Sequence, residues 1–284
     1  MVSVIHTVAE LKNVIERYTS SRQSVGFVPT MGALHRGHVS LVNKAGRENE
    51  LVVVSIFVNP TQFNDKNDLE KYPRTLEADV GLLNPAGADI VFAPSADEIY
   101  PYGKEVGADI DLGGLDTYME GSFRSGHFNG MAQVVKRLLD IVTPDKLYMG
   151  QKDFQQFTIV AHMIKTFQIK TELVVCRIIR EANGLAMSSR NERLTKETRE
   201  TAGLIYQTLQ AVKKYRNKKS IFELERYGMR KLEVSPFKPE YLKIVDGYTL
   251  QPIQSLNDTP YAVACVAVHA DGVRLIDNII LKNI

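Results

Sequence analysis

Two histidines in a glycine-containing stretch are the residues of this sequence whose type and spacing best suit chemistry. His35 and His38 lie within residues 29–38, which begin at the end of an apolar run. Side chains three residues apart share one face of a helix, and the backbone N–H groups of a helix N-terminus bind anions. Gly32 permits a turn with positive φ, and Gly37 lets a ligand approach the backbone closely. This combination suits the charge that develops when a triphosphate is attacked at its α-phosphorus.

A capped turn with two incidental histidines is the alternative interpretation of this stretch. The chain has 6 histidines, and two of them at one strand-to-helix junction favour the functional interpretation. A metal-binding His-x-x-His pair is a further option, but it needs a third ligand that the stretch does not supply. The stretch therefore predicts nucleotide binding.

Residues 59–63 carry two amide side chains at the end of the apolar run 51–58. The amides of Asn59 and Gln62 can donate to and accept from a small polar ligand without adding charge. A turn at Pro60 without a ligand has equal weight as an interpretation.

Residues 149–156 form a further predicted strand-to-helix junction. Lys152 can place a point charge on a phosphate, and Gln156 lies one turn into the predicted helix, where it can face a ligand crevice. For Asp153 we favour the role of helix N-cap.

Residues 187–191 contain two serines and an arginine on a loop of small residues. Two hydroxyls and a guanidinium suit the β- and γ-phosphates of a nucleotide. A serine-rich loop that leads into a helix capped by Thr195 has equal weight.

Residues 94–129 form a long connection rich in glycine and aspartate. A connection of this length in a compact domain is usually functional or contains undetected elements. Within residues 124–128, Arg124 and His127 could close over a bound ligand. A solvated loop is the alternative.

Before residue 176, short β-branched runs alternate with longer helical patterns. The predicted strands cover residues 25–29, 51–58, 89–93, 146–149 and 172–175. The predicted helices cover residues 37–48, 69–83, 130–141 and 154–167, with Pro73 at an end or a break of the second. This alternation predicts an α/β fold with a doubly wound, mostly parallel sheet, in which ligands bind beyond the carboxyl ends of the strands.

The rhythm of elements changes after Cys176. Predicted helices at residues 196–215 and 221–232 precede predicted strands at residues 240–245, 262–268 and 273–281. Asp271-Gly272 between the last two strands is typical of a hairpin turn. We therefore expect a first domain of residues 1–176 and a smaller α+β C-terminal domain of residues 177–284, which carries the Met-Ser-Ser-Arg loop.

The composition is that of an ordinary globular protein. Of the 284 residues, 44% are hydrophobic and 24% are charged, which excludes disordered, fibrous and membrane classes. A chain of this length buries roughly three quarters of the surface that its unfolded form exposes, so it needs no disulfide or structural metal to fold. Cys176 and Cys265 lie in apolar runs, and we predict that both are buried small hydrophobic residues.

The charge pattern gives no sign of a nucleic-acid partner. The formal net charge is +2, and the densest basic cluster, residues 213–219, is interpreted as a solvated helix end rather than an RNA-binding patch. The N-terminus lacks the pattern of a signal peptide, and no apolar run is long enough to span a membrane. We therefore expect a cytoplasmic protein without a membrane partner.

The five segments, taken in order, resemble one known family. A His-x-Gly-His turn at residues 35–38 with a Met-Ser-Ser-Arg loop at residues 187–190 resembles the nucleotidyltransferase superfamily with HIGH and KMSKS signatures. All five segments together resemble, more narrowly, the pantothenate synthetase family. The likeness runs from the first predicted strand to the C-terminal hairpin.

The resemblance implies a Rossmann-like first domain, a homodimer and a ligase of pantothenate biosynthesis. Members of the family condense pantoate with β-alanine through a pantoyl-adenylate, with ATP and Mg²⁺, and release AMP and pyrophosphate. The implied partners of this chain are therefore the small molecules pantoate, β-alanine and ATP.

The resemblance also implies nucleotide contacts at matching positions. In the first segment these are Met31, Gly32, Ala33, Leu34, His35, Arg36, Gly37 and His38. In the later segments they are Gly150, Gln151, Lys152, Asp153, Ile179, Met187, Ser188, Ser189 and Arg190. The residues expected to act in catalysis are His35, His38, Lys152 and Arg190. Family members use the residue at His38 as a proton donor, and Mg²⁺ helps to neutralise the phosphates.

For the other substrates, the resemblance implies that Gln62 and Gln156 bind pantoate and that Gln62 also contacts β-alanine. Further matching positions near the site, with open roles, are Asn59, Tyr72, Arg124 and His127. Gln151 departs from the family, whose members usually have Glu there. If that carboxylate helps to bind metal, this chain must use another ligand or water.

Two other functions stay open on sequence grounds. A different adenylylating enzyme of the HIGH type would share residues 35–38 and 187–190 but would not need the paired glutamines. A nucleotide sensor without catalytic activity could keep the phosphate-binding segments, but it has no reason to keep Gln62 and Gln156 beside them. ATP binding without pyrophosphate release would favour the sensor.

Overall fold

The computed structural model of the chain describes residues 2–62, 69–70, 72–101, 103, 110–124 and 126–283. Phe63 and Ser125, which belong to predicted site segments, lie outside the described residues, as does part of the predicted helix 69–83. The strands of the first part are β1 (Ser3–Ile5), β2 (Val25–Thr30), β3 (Leu51–Ile56), β4 (Ile90–Phe92), β5 (Lys146–Gly150) and β6 (Glu172–Cys176). The helices of the same part are α1 (Val8–Ser20), α2 (Arg36–Glu48), α3 (Leu76–Leu83), α4 (Ala96–Ile99), α5 (Glu120–Phe123), α6 (His127–Val142) and α7 (Phe154–Thr166).

Strands β1 to β6 form one parallel sheet in the order β1-β4-β3-β2-β5-β6. From β2 the chain moves outward through β3 and β4, and it then returns to the other side of β2 with β5 and β6. The strand order therefore reverses between β2 and β5, which is where a doubly wound sheet places its ligand crevice. The predicted α/β fold with a doubly wound parallel sheet is confirmed.

The central strand β3 shows why this sheet is covered on both faces. Residues 51–55 are each at most 1% exposed, as expected for a parallel strand between two layers of helices. Strand β2 pairs with β3 in register, from Val25 opposite Leu51 to Thr30 opposite Ile56. On one face, side chains of α2 and α3 join the strands in a buried apolar cluster.

Strand β1 and helix α1 lie in a region where the sequence pattern predicts no element. Strand β1 has three residues, which is too short for a clear alternation of apolar and polar side chains. Helix α1 buries only Leu11 and Ile15, so its apolar face is narrow. Its start is capped by Thr7, whose side chain accepts a bond from Glu10 N at 3.2 Å.

Two predicted helices are wrong in extent, and a third is interrupted where expected. In the predicted helix 69–83 the break lies at Pro73, since residues 73–75 are not helical and α3 begins at Leu76. A proline disfavours helical geometry at the residue before it. The predicted helix 130–141 is longer, since α6 begins at His127, directly after Gly126 in a left-handed conformation. These differences lie at helix ends, where local sequence specifies least.

The predicted helix 196–215 is two helices, α8 (Lys196–Thr201) and α9 (Leu204–Tyr215). The side-chain nitrogen of Asn183 donates to the carbonyl oxygens of Arg199 and Glu200, at 2.6 and 3.1 Å. These bonds satisfy carbonyl groups at the end of α8 and replace the continuation of the helix. Thr195 caps the start of α8 by accepting a bond from Thr198 N, as one of the two interpretations of residues 187–191 expects.

The long connection at residues 94–129 contains elements that its composition hides. Helices α4 and α5 lie within it, and α6 begins before it ends. Ser95 caps α4 by accepting a bond from Glu98 N at 3.3 Å. Each of the two short helices has only four residues, so neither produces a helical period in the sequence.

The C-terminal part is a smaller α+β arrangement, as predicted. Helix α10 (Ile221–Leu232) precedes strands β7 (Lys238–Asp246), β8 (Tyr261–Ala270) and β9 (Val273–Asn283). The three strands form an antiparallel sheet, and apolar side chains of the sheet, α9 and α10 share a buried core. The turn at Asp271 and Gly272 has positive φ at both residues, 50° and 72°, which matches the favoured hairpin turn.

The chain divides into two compact units. The first comprises Met1–Asp116, Glu120–Gly150 and Ile159–Cys176, and the second comprises Thr117–Met119, Gln151–Thr158 and Arg177–Ile284. Residues 151–158 thus group with the C-terminal part, and the division into domains at residue 176 stays a prediction.

Three smaller features complete the fold. Cys176 and Cys265 are 7% and 5% exposed, which confirms that both are buried. Burial raises the pKa of the Cys176 thiol, so this side chain stays protonated. Among the described residues, no helix combines the length and the apolar character needed to cross a membrane.

Candidate active site

Predicted site segments of the first unit begin at the carboxyl ends of neighbouring strands. Residues 31–38 follow β2, residues 59–62 follow β3, and Gly150 ends β5. Strand β2 lies between β3 and β5 in the sheet. Because the carboxyl ends of parallel strands meet at one edge, the sheet brings these three positions to its switch point.

The two histidines cap helix α2 reciprocally. His35 is the N-cap, and its Nδ1 accepts a bond from Gly37 N at 3.1 Å, while His38 Nδ1 accepts a bond from His35 N at 3.3 Å. The two rings lie 4.1 Å apart between centroids. An imidazole nitrogen that accepts a bond carries no proton, so each neutral ring carries its proton on Nε2. The turn therefore places two rings that carry Nε2–H groups beside a helix N-terminus.

A buried carboxylate holds the turn that precedes α2. Asp79 is 2% exposed, and its two oxygens accept bonds from Ala33 N at 3.0 Å and Leu34 N at 2.7 Å. Gly32 and Ala33 have φ values of 81° and 50°, a conformation that costs Ala about 1–2 kcal/mol. Asp79 offsets that cost by pairing both backbone N–H groups. No local sequence pattern marks Asp79, because 45 positions separate it from its nearer partner, Leu34.

Asn59, predicted as a site residue with an open role, is buried, and its side-chain amide is fully hydrogen-bonded within the protein. Its side-chain nitrogen donates to Thr61 Oγ1 at 2.9 Å and to Gly130 O at 3.2 Å. Its side-chain oxygen accepts bonds from Tyr100 Oη at 3.0 Å and Thr61 N at 3.4 Å. Four bonds exhaust the amide, so Asn59 shapes the turn after β3. Burial raises the pKa of the Tyr100 phenol, which keeps its donor proton in place.

Gln62 ends the short 3₁₀ helix Pro60–Gln62, and His127 holds it there. His127 Nδ1 lies 3.0 Å from Gln62 O, and His127 is 9% exposed. A Cβ at Gly130 would meet Thr61 O at 2.5 Å, so only glycine lets α6 approach this turn so closely. The half-buried side chain of Gln62 is therefore presented by a backbone fixed on both sides.

Arg124 and Tyr72, the remaining predicted positions of the first unit, are half-buried. Arg124 O accepts a bond from His127 N at 3.1 Å, which joins the end of α5 to the start of α6. Tyr72 N donates to Leu69 O at 3.3 Å. The structure brings Asn59, Gln62 and His127 into direct contact, and Arg124 joins them through the backbone.

In the second unit, Asn278 of β9 forms hydrogen bonds to the turn that carries Lys152. Its side-chain nitrogen donates to Gln151 O at 2.9 Å and Lys152 O at 3.0 Å, and its oxygen accepts a bond from Gln151 Nε2 at 3.0 Å. The Lys152 ammonium lies 3.5 Å from a carboxylate oxygen of Asp153. Asp153 directly precedes α7, and its carbonyl oxygen accepts a bond from Phe157 N. Its predicted role as a side-chain cap stays a prediction.

The two glutamines at the start of α7 have different environments. Gln155 is 3% exposed and its Nε2 donates to Tyr118 O at 2.9 Å. Gln156, the predicted pantoate ligand, is half-buried. Consecutive helix positions point about 100° apart, so Gln155 fixes the helix while Gln156 points in another direction.

The segment that carries the Met-Ser-Ser-Arg loop is a short hairpin at residues 179–187, followed by a 3₁₀ helix. Met187 N donates to Ile179 O at 2.9 Å, and Arg180 pairs with Ala186 in an isolated antiparallel bridge. Ser188 caps the 3₁₀ helix Ser189–Arg193, since its hydroxyl accepts a bond from Arg190 N at 3.3 Å. A hydroxyl that accepts one bond can still donate its own proton, so capping and the predicted phosphate contact are compatible.

Arg180 and Asp277 form a buried ion pair beside this hairpin. Two guanidinium nitrogens lie 2.6 and 3.0 Å from the two carboxylate oxygens, and the Arg180 Cζ lies 3.6 Å from the centroid of the Tyr206 ring. Burial raises the pKa of the Asp277 carboxyl, and Arg180 opposes that shift. Neither Asp277 nor Asn278 is singled out by the sequence pattern, which marks β9 only as an apolar strand.

Metal-binding side chains are sparse over the described ranges. No cluster of three or more His, Cys, Asp or Glu residues there can hold a metal ion.

The fold and these segments define a class, an α/β protein of Rossmann-like type with a histidine-capped helix beyond its central strand. A model of the family described as Pantoate-beta-alanine ligase matches residues 3–280. The chain belongs to this family, and it is a ligase.

Relatives of known identity agree with the family over the full length. A pantothenate synthetase from Bacteroides thetaiotaomicron is 48% identical over 282 residues, which cover 99% of either chain. The crystal structure of a pantothenate synthetase from Thermus thermophilus is 42% identical, with a TM-score of 0.91 over 99% of either chain. A pantoate-beta-alanine ligase from Francisella tularensis, complexed with Beta-gamma ATP and Beta-alanine, is 36% identical, with a TM-score of 0.80 over 99% of this chain and 98% of that one.

Proposed function

We propose that this chain condenses pantoate with β-alanine to form pantothenate, using ATP and passing through a pantoyl-adenylate. The observation that carries the proposal is the match of residues 3–280 to the pantoate-beta-alanine ligase family. The Francisella tularensis relative complexed with Beta-gamma ATP and Beta-alanine supports two of the three substrates.

In the first step, an oxygen of the pantoate carboxylate attacks the α-phosphorus of ATP. A bond forms between that oxygen and the α-phosphorus, and the bond from the α-phosphorus to the bridging oxygen breaks, which releases pyrophosphate. A carboxylate is already ionised at neutral pH. The step therefore needs alignment and charge stabilisation rather than a general base.

Four side chains are proposed to supply that stabilisation. His35 and His38 donate from Nε2 to oxygens of the α-phosphate, because their Nδ1 atoms are occupied by backbone N–H groups. Lys152 and Arg190 neutralise the β- and γ-phosphates. Mg²⁺ arrives on the triphosphate, as part of the substrate MgATP.

In the second step, the amine of β-alanine attacks the acyl carbon of the pantoyl-adenylate, and AMP leaves with the electron pair of the broken carbon–oxygen bond. The ammonium form must first lose a proton, and the nitrogen loses a second proton as the amide forms; both protons pass to solvent. Since Nδ1 of His38 accepts the His35 N–H, its Nε2 already carries a proton. His38 is therefore assigned as a donor to the phosphate of the departing AMP.

The remaining residues are proposed to bind and position the substrates. Gln62 and Gln156 hold pantoate, and Gln62 also contacts β-alanine, with Asn59 and His127 fixing the turn that presents Gln62. The other nucleotide contacts are those implied by the resemblance, in residues 31–38, 150–153, 179 and 187–190.

Two properties of the whole molecule belong to the proposal. A homodimer is implied by the family resemblance, and size-exclusion chromatography with light scattering tests it by giving a mass of about two chains or one. The cytoplasm is proposed as its location, because the chain is similar to bacterial biosynthetic enzymes.

Pyrophosphate release tests the proposed reaction. The purified chain is given MgATP with pantoate, first without and then with β-alanine. A stoichiometric burst that becomes steady turnover on addition of β-alanine is expected from an adenylate route. If neither condition gives pantoate-dependent release, the assignment is wrong, and ATP binding without release would favour a nucleotide sensor.

A further inference from the structure

Two adjacent residues of β9 each hold a different segment of the second unit. Asn278 is 2% exposed and bonds to the carbonyl groups of Gln151 and Lys152. Asp277 is 4% exposed and pairs with Arg180 through both carboxylate oxygens. Consecutive strand residues point to opposite faces, so one short piece of strand reaches two segments at once.

Arg180 connects Asp277 to both strands of the hairpin at residues 179–187. Arg180 Nη1 also donates to Gly184 O at 3.0 Å, at the tip. Its backbone bridges Ala186, next to the Met187–Ile179 bond. The start of the hairpin and the entry to the Ser188 cap are therefore tied to Asp277.

The polar character of Asp277 and Asn278 argues for a role other than stability. Leu275, Ile279 and Leu281 of the same strand belong to the buried apolar core. Apolar residues in place of a buried ion pair are often neutral or stabilising, so core packing alone does not require Asp277. Asn278 supplies donors to two carbonyl groups whose orientation sets the direction of the Lys152 side chain.

We propose that Asp277 and Asn278 are positioning residues for the triphosphate of ATP. Asn278 fixes the turn that carries Lys152, and Asp277, through Arg180, fixes the hairpin that leads to Ser188 and Arg190. The inference rests on the proposed function and adds residues that act on the nucleotide through others. Its signature is a change in the KM for ATP that is larger than any change in the KM for pantoate.

The test uses the full chain with Asn278→Asp, and pyrophosphate release is measured against ATP and against pantoate. The variant keeps the acceptor for Gln151 Nε2, but it loses both donors and sets an oxygen against two carbonyl oxygens. We expect the KM for ATP to rise about tenfold, and the KM for pantoate to change by less than about twofold.

Leu224→Ala serves as the control for general destabilisation of the second unit. Leu224 is fully buried in the core of that unit, so the variant lowers the Tm by leaving a cavity. We expect its KM for ATP to equal that of the unmodified chain. Equal rises in the KM for ATP for Leu224→Ala and Asn278→Asp would overturn the inference, because general loosening would then explain both.

Gln151→Met keeps the test decisive if Asn278→Asp does not fold. It removes the bond from Gln151 Nε2 to Asn278 Oδ1 and leaves no charge in the interior. The nucleotide contact proposed at Gln151 is assigned to its backbone, which this variant keeps. We expect a rise of about threefold in the KM for ATP. An unchanged KM for ATP in a folded Asn278→Asp, or in Gln151→Met if the first does not fold, would overturn the inference. Absence of pantoate-dependent pyrophosphate release from the unmodified chain would instead overturn the proposed function.

Discussion

The segments proposed to bind the nucleotide are held by different contacts in the two units. Residues 31–38 depend largely on bonds among themselves, with His35 and His38 capping one helix and Asp79 as the distant acceptor. The other two segments depend on β9. The turn at residues 151–153 is bonded to Asn278, 127 positions away from Gln151, and the hairpin at residues 179–187 is bonded through Arg180 to Asp277, 97 positions away. A strand-to-helix turn therefore carries much of its own geometry, whereas the hairpin and turn of the second unit need a strand near the C-terminus.

Loss of His38 tests the chemistry of the locally held segment and has the largest expected effect. We expect His38→Ala to lower kcat for pantoate-dependent pyrophosphate release about 10²–10³-fold, because it removes a donor to the developing charge. Steady-state kinetics with saturating MgATP measure the change. His6→Ala is the matched control, since His6 is exposed and contacts only Ala93 O among the bonds described for it. Full kcat in His38→Ala would remove the assigned role.

Loss of Asp79 tests whether the first segment also needs its distant acceptor. Asp79→Asn leaves one backbone N–H facing an amide nitrogen, so we expect a loss of about 1–3 kcal/mol of unfolding free energy and a roughly tenfold higher KM for ATP. Urea denaturation and ATP titrations measure the two effects. Glu77→Gln, on the exposed side of the same helix, is expected to change neither. A normal KM for ATP in Asp79→Asn would mean that the histidine caps alone hold the turn.

Addition of a Cβ at Gly32 tests whether the turn at residues 31–38 needs its left-handed backbone, and its expected effect is smaller. Gly32 has a φ of 81°, and an added Cβ would lie 3.1 Å from Asp79 Oδ2 and from Ile56 Cγ2. We expect Gly32→Ala to cost about 1 kcal/mol and to raise the KM for ATP about threefold. Gly87→Ala is the control for backbone strain, because Gly87 has a φ of 86° with open space around it. Equal KM values for ATP in both variants would show that close approach is unimportant.

The smallest expected effect concerns the β8–β9 hairpin, whose Asp271 accepts bonds from Thr195 N and Thr195 Oγ1, both at 2.9 Å. The backbone N–H of Thr195, followed by the hydroxyls of Thr198 and Thr195, lowers the pKa of the Asp271 carboxyl. A lowered pKa in the folded state contributes stability above the unfolded value of about 3.9, and that stability is lost as the pH falls through the folded value. The Tm of the unmodified chain should therefore exceed that of Asp271→Asn at pH 7, and the difference should shrink below about pH 4. A Tm difference that does not depend on pH would contradict this assignment.

Much of the fold is predictable because its signals are short-range. The buried run of β3, the hairpin at Asp271-Gly272 and the Thr195 cap are read from neighbouring residues and are confirmed. Strand β1 is missed because three residues leave no periodic signal. The start of α6 is missed because the left-handed Gly126 before it leaves none either. The roles predicted for the site residues stay predictions, although contacts within each unit now give several of them a physical basis.

Local residue order is sufficient to predict the parallel sheet, the strand-to-helix turn after β2 and the C-terminal hairpin at Asp271-Gly272. Caps, turns and periodicity act over one to four positions, so the residue order specifies them directly. Only the tertiary contacts show that Asp79 fixes residues 33–34, that Asn278 fixes residues 151–152 and that Asp277 fixes Arg180. The partner of a buried carboxylate or amide depends on strand order, register and the approach of distant segments, which no local pattern encodes.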